Sequence, residues 1–156
     1  MMSLDLWAEH DGLRTMMREF AALLLASRPD MAEIARRRIA FSQAYRRHVD
    51  CEAKAVRMAC STGLIAGVGQ AARIHTDRVR ELFLAYSAHV NHWTPGRIAD
   101  DWAGYGKDVQ GLQRTLHILM AWEEEKLHGM LTPVQQAEQT TQSEPVSSQR
   151  TSRSIH

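Results

Sequence analysis

Residues 30–59 read DMAEIARRRIAFSQAYRRHVDCEAKAVRMA, and this stretch decides the fold. Its stripe of Ile34, Phe41, Tyr45, Ala55 and Ala59 recurs at the spacing of one helix face. Two polar residues, His48 and Glu52, fall on that same stripe. Asp30 supplies an N-cap, and Glu33 stands three residues on, where it completes a capping box. The stretch predicts one long helix, to about Ala59. It presents an imidazole and a carboxylate one turn apart on its inner face.

The pattern repeats on both sides. A helix is expected from an N-cap at Ser3 to about Ser27, with the stripe Leu6, His10, Leu13, Met17, Phe20, Leu24; Pro29 breaks it. Residues 61–69 hold three glycines and no charge, and read as a loop. A third helix runs from about Val68 to Trp93, with the stripe Ala71, His75, Val79, Leu82, Tyr86, His89; Thr94-Pro95-Gly96 ends it. Residues 97–104 read as irregular or a short helical turn around Trp102. A fourth helix runs from about Tyr105 to Leu131, with the stripe Val109, Leu112, Leu116, Leu119, Glu123, Leu127, Met130. Strand alternation is nearly absent. Short links between four amphipathic helices predict an all-α, antiparallel up-down-up-down bundle over residues 1–131. Residues 132–156 are rich in Gln, Ser and Thr with little that is large and apolar, and are expected to form a disordered tail.

Bulk properties narrow the function. The 156 residues suit one domain, with 44% hydrophobic and 24% charged residues. A net charge of +1 gives no field for nucleic acid or an acidic membrane. The basic runs Arg36-Arg37-Arg38 and Arg46-Arg47 read as a solvated outer face. No signal peptide and no membrane-length apolar run are apparent, so a cytoplasmic protein is expected. Cys51 and Cys60 would lie roughly 13 Å apart along one helix, too far for a disulfide. No nucleophile–base pair or phosphate loop is visible, so hydrolase and transferase chemistry have no support; an enzyme using di-iron for peroxide or nitric oxide chemistry is not separated by sequence from a sensor.

The inward polar residues carry the chemistry. In an antiparallel bundle His10, His48, Glu52, His75 and Glu123 all belong to the same end, within a layer one to two turns thick. Burying ionised carboxylates is costly unless they are paired. Three imidazoles and two carboxylates suit iron, with manganese and zinc as alternatives. The competing reading is a metal-free cluster of Glu–His pairs in a bundle used as a regulatory or interaction module. His89 would lie about 21 Å from His75, out of reach of the cluster. His117 and His128 read as surface residues, His128 pairing with Glu124 one turn back.

Four stretches, AEHDGLR at 8–14, HVDCE at 48–52, HTDRV at 75–79 and AWEE at 121–124, give the chain a resemblance to the hemerythrin-like family of HHE cation-binding domains. The resemblance covers about residues 4–131. It implies a four-helix bundle around a non-haem iron centre, mono- or di-nuclear. The five residues named above would be its ligands, and oxygen or nitric oxide the small partner in sensing, redox response or iron handling. The family usually places a His four residues before its acidic ligand on the fourth helix, and Leu119 stands there. Its oxygen-carrying branch has a second His on the third helix, where this chain has Val79. Those departures imply a weaker, mononuclear or solvent-completed site, or none.

Overall fold

The computed structural model describes residues 5–63 and 66–131, and all of their regular structure is helical. Ser3 and the tail expected over residues 132–156 lie outside the described residues. Helix α1 spans Leu6–Leu23, α2 Met31–Thr62, α3 Val68–His92, the short α4 Pro95–Asp100, and α5 Trp102–Glu123, which continues as a π-helical turn over Glu124–His128.

Local chemistry sets these limits. Asp5 rather than Ser3 caps α1, its Oδ1 accepting from the Ala8 amide at 3.0 Å. The helix stops short of Ser27 because the chain tightens at residues 24–26, whose amides donate to carbonyls three residues back. Asp30 caps α2 through the Glu33 amide at 3.1 Å. The Glu33 side chain does not reach back to close the expected box; it binds the Arg36 and Arg37 guanidiniums. Gly63, at φ +64°, ends α2 in the left-handed conformation that glycine adopts without penalty. Of the two readings of residues 97–104, the helical one holds and goes further than a short turn: α4 runs to Asp100 and α5 begins at Trp102, ahead of the expected Tyr105. Thr94 caps α4 with Pro95 in its first turn, and Asp101 ends α4 while its Oδ1 caps α5 through the Gly104 amide at 2.9 Å.

Helix α1 packs on α2 and α5, and α3 packs on α2 and α5. The core is stacked in layers. One layer joins Leu6, Ala55, Ala59, Val68, Ala71, Leu127 and Leu131. A second joins Leu13, Met17, Tyr45, Leu82, Leu116, Leu119 and Met120. The third closes the far end with Ile34, Trp93, Ile98, Tyr105 and Val109, and α4 contributes Ile98 to it. From the first layer to the second, residue numbers rise along α1 and α3 and fall along α2 and α5. His10, His48, Glu52, His75 and Glu123 fall between those two layers on every long helix, one helical turn or so from each. Among the described residues no helix is long and apolar enough to cross a membrane.

Candidate metal centre

All five polar residues of the expected stripe are buried, His75 at 6% exposure and the other four at 1% or less. They meet. His10 Nε2 and His48 Nε2 lie 3.0 Å apart. His48 Nε2 also contacts Glu52 Oε1, its partner one turn along α2. His75 Nε2 stands 2.9 Å from Glu123 Oε2 and 3.5 Å from Glu52 Oε2. Glu123 Oε1 faces His10 Nε2 at 3.8 Å. Glu52 and Glu123 thus sit between the imidazoles of α1 and α2 on one side and that of α3 on the other.

A sixth side chain completes the cluster. His128, expected on the surface beside Glu124, is 2% exposed, and its Nε2 lies 3.1 Å from Glu52 Oε2. The cause is the π-helical turn at Glu124–His128. In a regular α-helix a residue five places after Glu123 would point about 140° away from it. The wider π turn, with hydrogen bonds spanning five residues, returns it to the same face. The α-helical spacing applied to the sequence turned His128 outward for this reason. The apolar Leu127 beside it, fully buried in the first core layer, was the available signal that this turn faces inward. His10, His48, Glu52, Glu123 and His128 each offer a ligand atom within 4.8 Å of the others, and such a group could hold a metal ion. His75 lies just outside that group while touching both of its carboxylates.

The outer faces of two imidazoles are fixed. His10 Nδ1 donates to Glu124 Oε1 at 3.1 Å, and that carboxylate is held from outside by Arg14 Nη2 at 2.7 Å. His48 Nδ1 donates to Glu9 Oε1 at 3.2 Å. A proton held at Nδ1 by a carboxylate leaves the Nε2 lone pair of a neutral ring directed inward, the arrangement found around metal-ligating histidines. Trp122 stacks on His75 at 6.3 Å between ring centroids, and the Arg78 guanidinium covers Trp122 at 4.9 Å. Trp7 meets His128 edge-on at 5.6 Å. These groups separate the cluster from water.

Electrostatics follow from burial and crowding. Burial, reinforced by the His48 charge, pushes His10 down to about 4, so the ring is neutral at pH 7. Burial likewise lowers His75. Burial opposes the charge on His48 too, but Glu52 and Glu9 outweigh it and raise its pKa. Burial, then hydrogen bonding with Glu52 and the repulsion of its charge, pushes Glu123 up to about 11. Glu52 moves the other way: burial raises it, but His128 and His48 hold it well below the ordinary carboxylate range. Two carboxylates share this small volume, and without a dication one of them keeps a proton.

The remaining candidates are elsewhere. Leu119, where the family would place a histidine, is 4% exposed in the second apolar layer. Glu124 is a support for His10 rather than a member of the inner group. His117 is exposed, and His92 is exposed against Arg97. His89 is buried at the other end of the molecule on Asp108. Cys51 packs against the first apolar layer, and both cysteines are free thiols.

No protein-family model, no curated protein and no solved structure matches the chain.

Proposed function

We propose that this protein is a hemerythrin-like metal-binding protein: an antiparallel up-down-up-down four-helix bundle holding a non-haem iron centre that responds to oxygen, nitric oxide or redox state, or handles iron. The observation that carries the reading is the inward convergence of imidazole Nε2 atoms on two buried carboxylates, with the outer nitrogens of His10 and His48 already tied to Glu124 and Glu9. The alternating rise and fall of residue numbers through the core layers supports the antiparallel bundle.

In this reading His10, His48, His128, Glu52 and Glu123 hold one cation. His75, with the oxygens of Glu52 and Glu123 that face it, offers the place for a second. The donor set is nitrogen and oxygen without thiolate, which suits iron and also admits manganese or zinc. Two negative charges offset a dication, which removes the need for a proton on Glu123. Iron held there would supply the chemistry for binding a small diatomic ligand. The protein's own residues do the rest. Glu124 and Glu9 orient the rings, Arg14 anchors Glu124, and Trp122 and Trp7 keep bulk water away. His128 takes the role that a histidine in place of Leu119 would have had, reached from the opposite side of Glu123.

A second reading has one specific support. His48 and Glu52 already form a buried ion pair, and Glu52 also contacts His128, so the cluster can satisfy itself. A metal-free bundle serving as an interaction module would use it so. Elemental analysis of protein purified from iron-rich medium separates the two. Stoichiometric iron in the wild type, strongly reduced in His128→Ala, supports the metal centre and the place of His128 in it. Absence of iron, manganese and zinc from protein with a normal helical spectrum leaves only the metal-free module.

A further inference from the structure

A cavity of about 550 Å3 lies among α1, α2, α3 and α5, on the side of Tyr45 away from the His/Glu cluster. Its size falls in the range of small-molecule sites. Its walls are largely apolar, with Phe20, Phe41, Leu82, Val109 and Leu116 among them. Most of the polar groups on these walls that are withdrawn from solvent are already engaged. Ser42 and Tyr86 bond each other at 2.9 Å, Gln113 donates to the Met17 carbonyl at 3.0 Å, and His89 donates to Asp108. Arg36 and Arg37, at the rim, pair with Glu33 and Glu19.

Two groups are left over. The Tyr105 hydroxyl belongs to a side chain with 0% exposure, and Arg38 Nη2 is buried; neither has a hydrogen-bond partner among the described residues. Both residues line this cavity. They line the same chamber, and while burial pushes the Tyr105 hydroxyl up, the Arg38 guanidinium acts against that push. Arg38 forms no ion pair with any described residue. A buried guanidinium nitrogen and a phenol without acceptors are costly. The guanidinium can only donate and the phenol can donate, so an acceptor satisfies both, and a fixed positive charge favours an anionic one. A guanidinium matches a carboxylate in shape and charge.

From these observations we propose that the cavity is a binding site for an amphipathic monocarboxylate of the fatty-acid type. Its head group accepts from Arg38 and Tyr105, and its hydrocarbon lies along Phe20, Phe41 and Leu82. The site is separate from the His/Glu cluster and stands whether or not that cluster holds iron.

Calorimetric titration of the full-length protein with decanoate tests it, with decanol as the uncharged counterpart. Saturable one-to-one binding of decanoate is expected, with decanol weaker by about tenfold or more, the loss of a charge-assisted pair. Arg38→Met should weaken decanoate by a similar factor and leave decanol unchanged. Tyr105→Phe, which keeps the ring and removes only the hydroxyl, should cost about threefold to tenfold. Metal content should be the same in all three proteins. No saturable binding, equal affinity for decanoate and decanol, or wild-type decanoate affinity in both variants would overturn the proposal. If Arg38→Met loses its helical spectrum, the decanol comparison and Tyr105→Phe still decide.

Discussion

The two interior regions where polar groups leave water solve that problem in opposite ways. Between the first and second core layers, six titratable side chains crowd together until nearly every one touches another across helices. Around the cavity, beyond Tyr45, donors are spread over a larger apolar volume and two of them reach no acceptor. The first region has excess negative charge for its size, relieved by a proton on Glu123 or by a cation. The second has excess positive charge and donors. A dense nest of imidazoles and carboxylates could hold a metal ion; a roomy apolar chamber with a fixed donor suits an anionic amphiphile.

The strongest way to break that contrast is to remove the carboxylate at the centre of the dense region. Glu52→Ala takes away the group that touches His48, His75 and His128. Its metal content should fall to near zero. At a metal concentration a thousandfold above the dissociation constant, the wild type should gain about 4 kcal/mol over its apo form, and the variant should gain nothing. Thermal melts with and without added Fe(II) measure this. An equal metal-induced shift in both proteins would refute the assignment of Glu52.

Next in size is a substitution at the boundary between the regions. From sequence alone, Leu119→His restores a missing ligand and should tighten metal binding. The packing favours the opposite outcome, because His128 already lies in the cluster and Leu119 belongs to the apolar layer with Leu13, Met17 and Leu116. Leu119→His should therefore destabilise the protein by about 1–3 kcal/mol, the cost of burying a poorly partnered polar ring. Metal affinity should not rise. Denaturant melts and metal titration of the variant check both halves.

The smallest expected effect sits at the far end, where Asp108 Oδ2 accepts from His89 Nδ1 at 2.6 Å and Trp93 Nε1 at 2.7 Å. The His89 hydrogen bond depresses the Asp108 pKa, with burial acting against it. A depressed carboxylate contributes stability above its unfolded value, near 3.8, and loses it as pH falls through the lower folded value. Asp108 is half exposed, so Asp108→Asn should cost about 1 kcal/mol or less at pH 7. His89 is lowered by burial and partly rescued by Asp108. Losing that rescue should widen the gap to wild type modestly as pH falls through the folded wild-type value of His89, which burial holds below 6.5. The gap should then close as wild-type Asp108 is itself protonated. Urea titrations across this range trace the curve, and a gap that stays constant into strong acid would exclude the linkage.

What could be read directly from the chain and what could not divide along the same lines. The stripe containing His48 and Glu52 needs only the α-helical period, and so do His10, His75 and Glu123. Their burial followed from apolar neighbours one turn away on each side, and all five meet. Helix ends are less legible, because Asp5 and Asp101 are only two of several candidate caps and local bonding decides among them. The regular α-helical period turns His128 to the surface, and no residue type in Glu124–His128 announces a π turn.

Residue types and their period determined that the chain is helical and that five polar side chains face inward, since both follow from local geometry repeated every few residues. Only the tertiary structure decided that a sixth joins them, that Glu124 and Glu9 brace the rings from outside, and that Arg38 Nη2 and the Tyr105 hydroxyl line one chamber with no hydrogen-bond partner among the described residues. Those outcomes depend on the pitch of a single turn and on the gap left where four helices meet, and neither is encoded in any one segment.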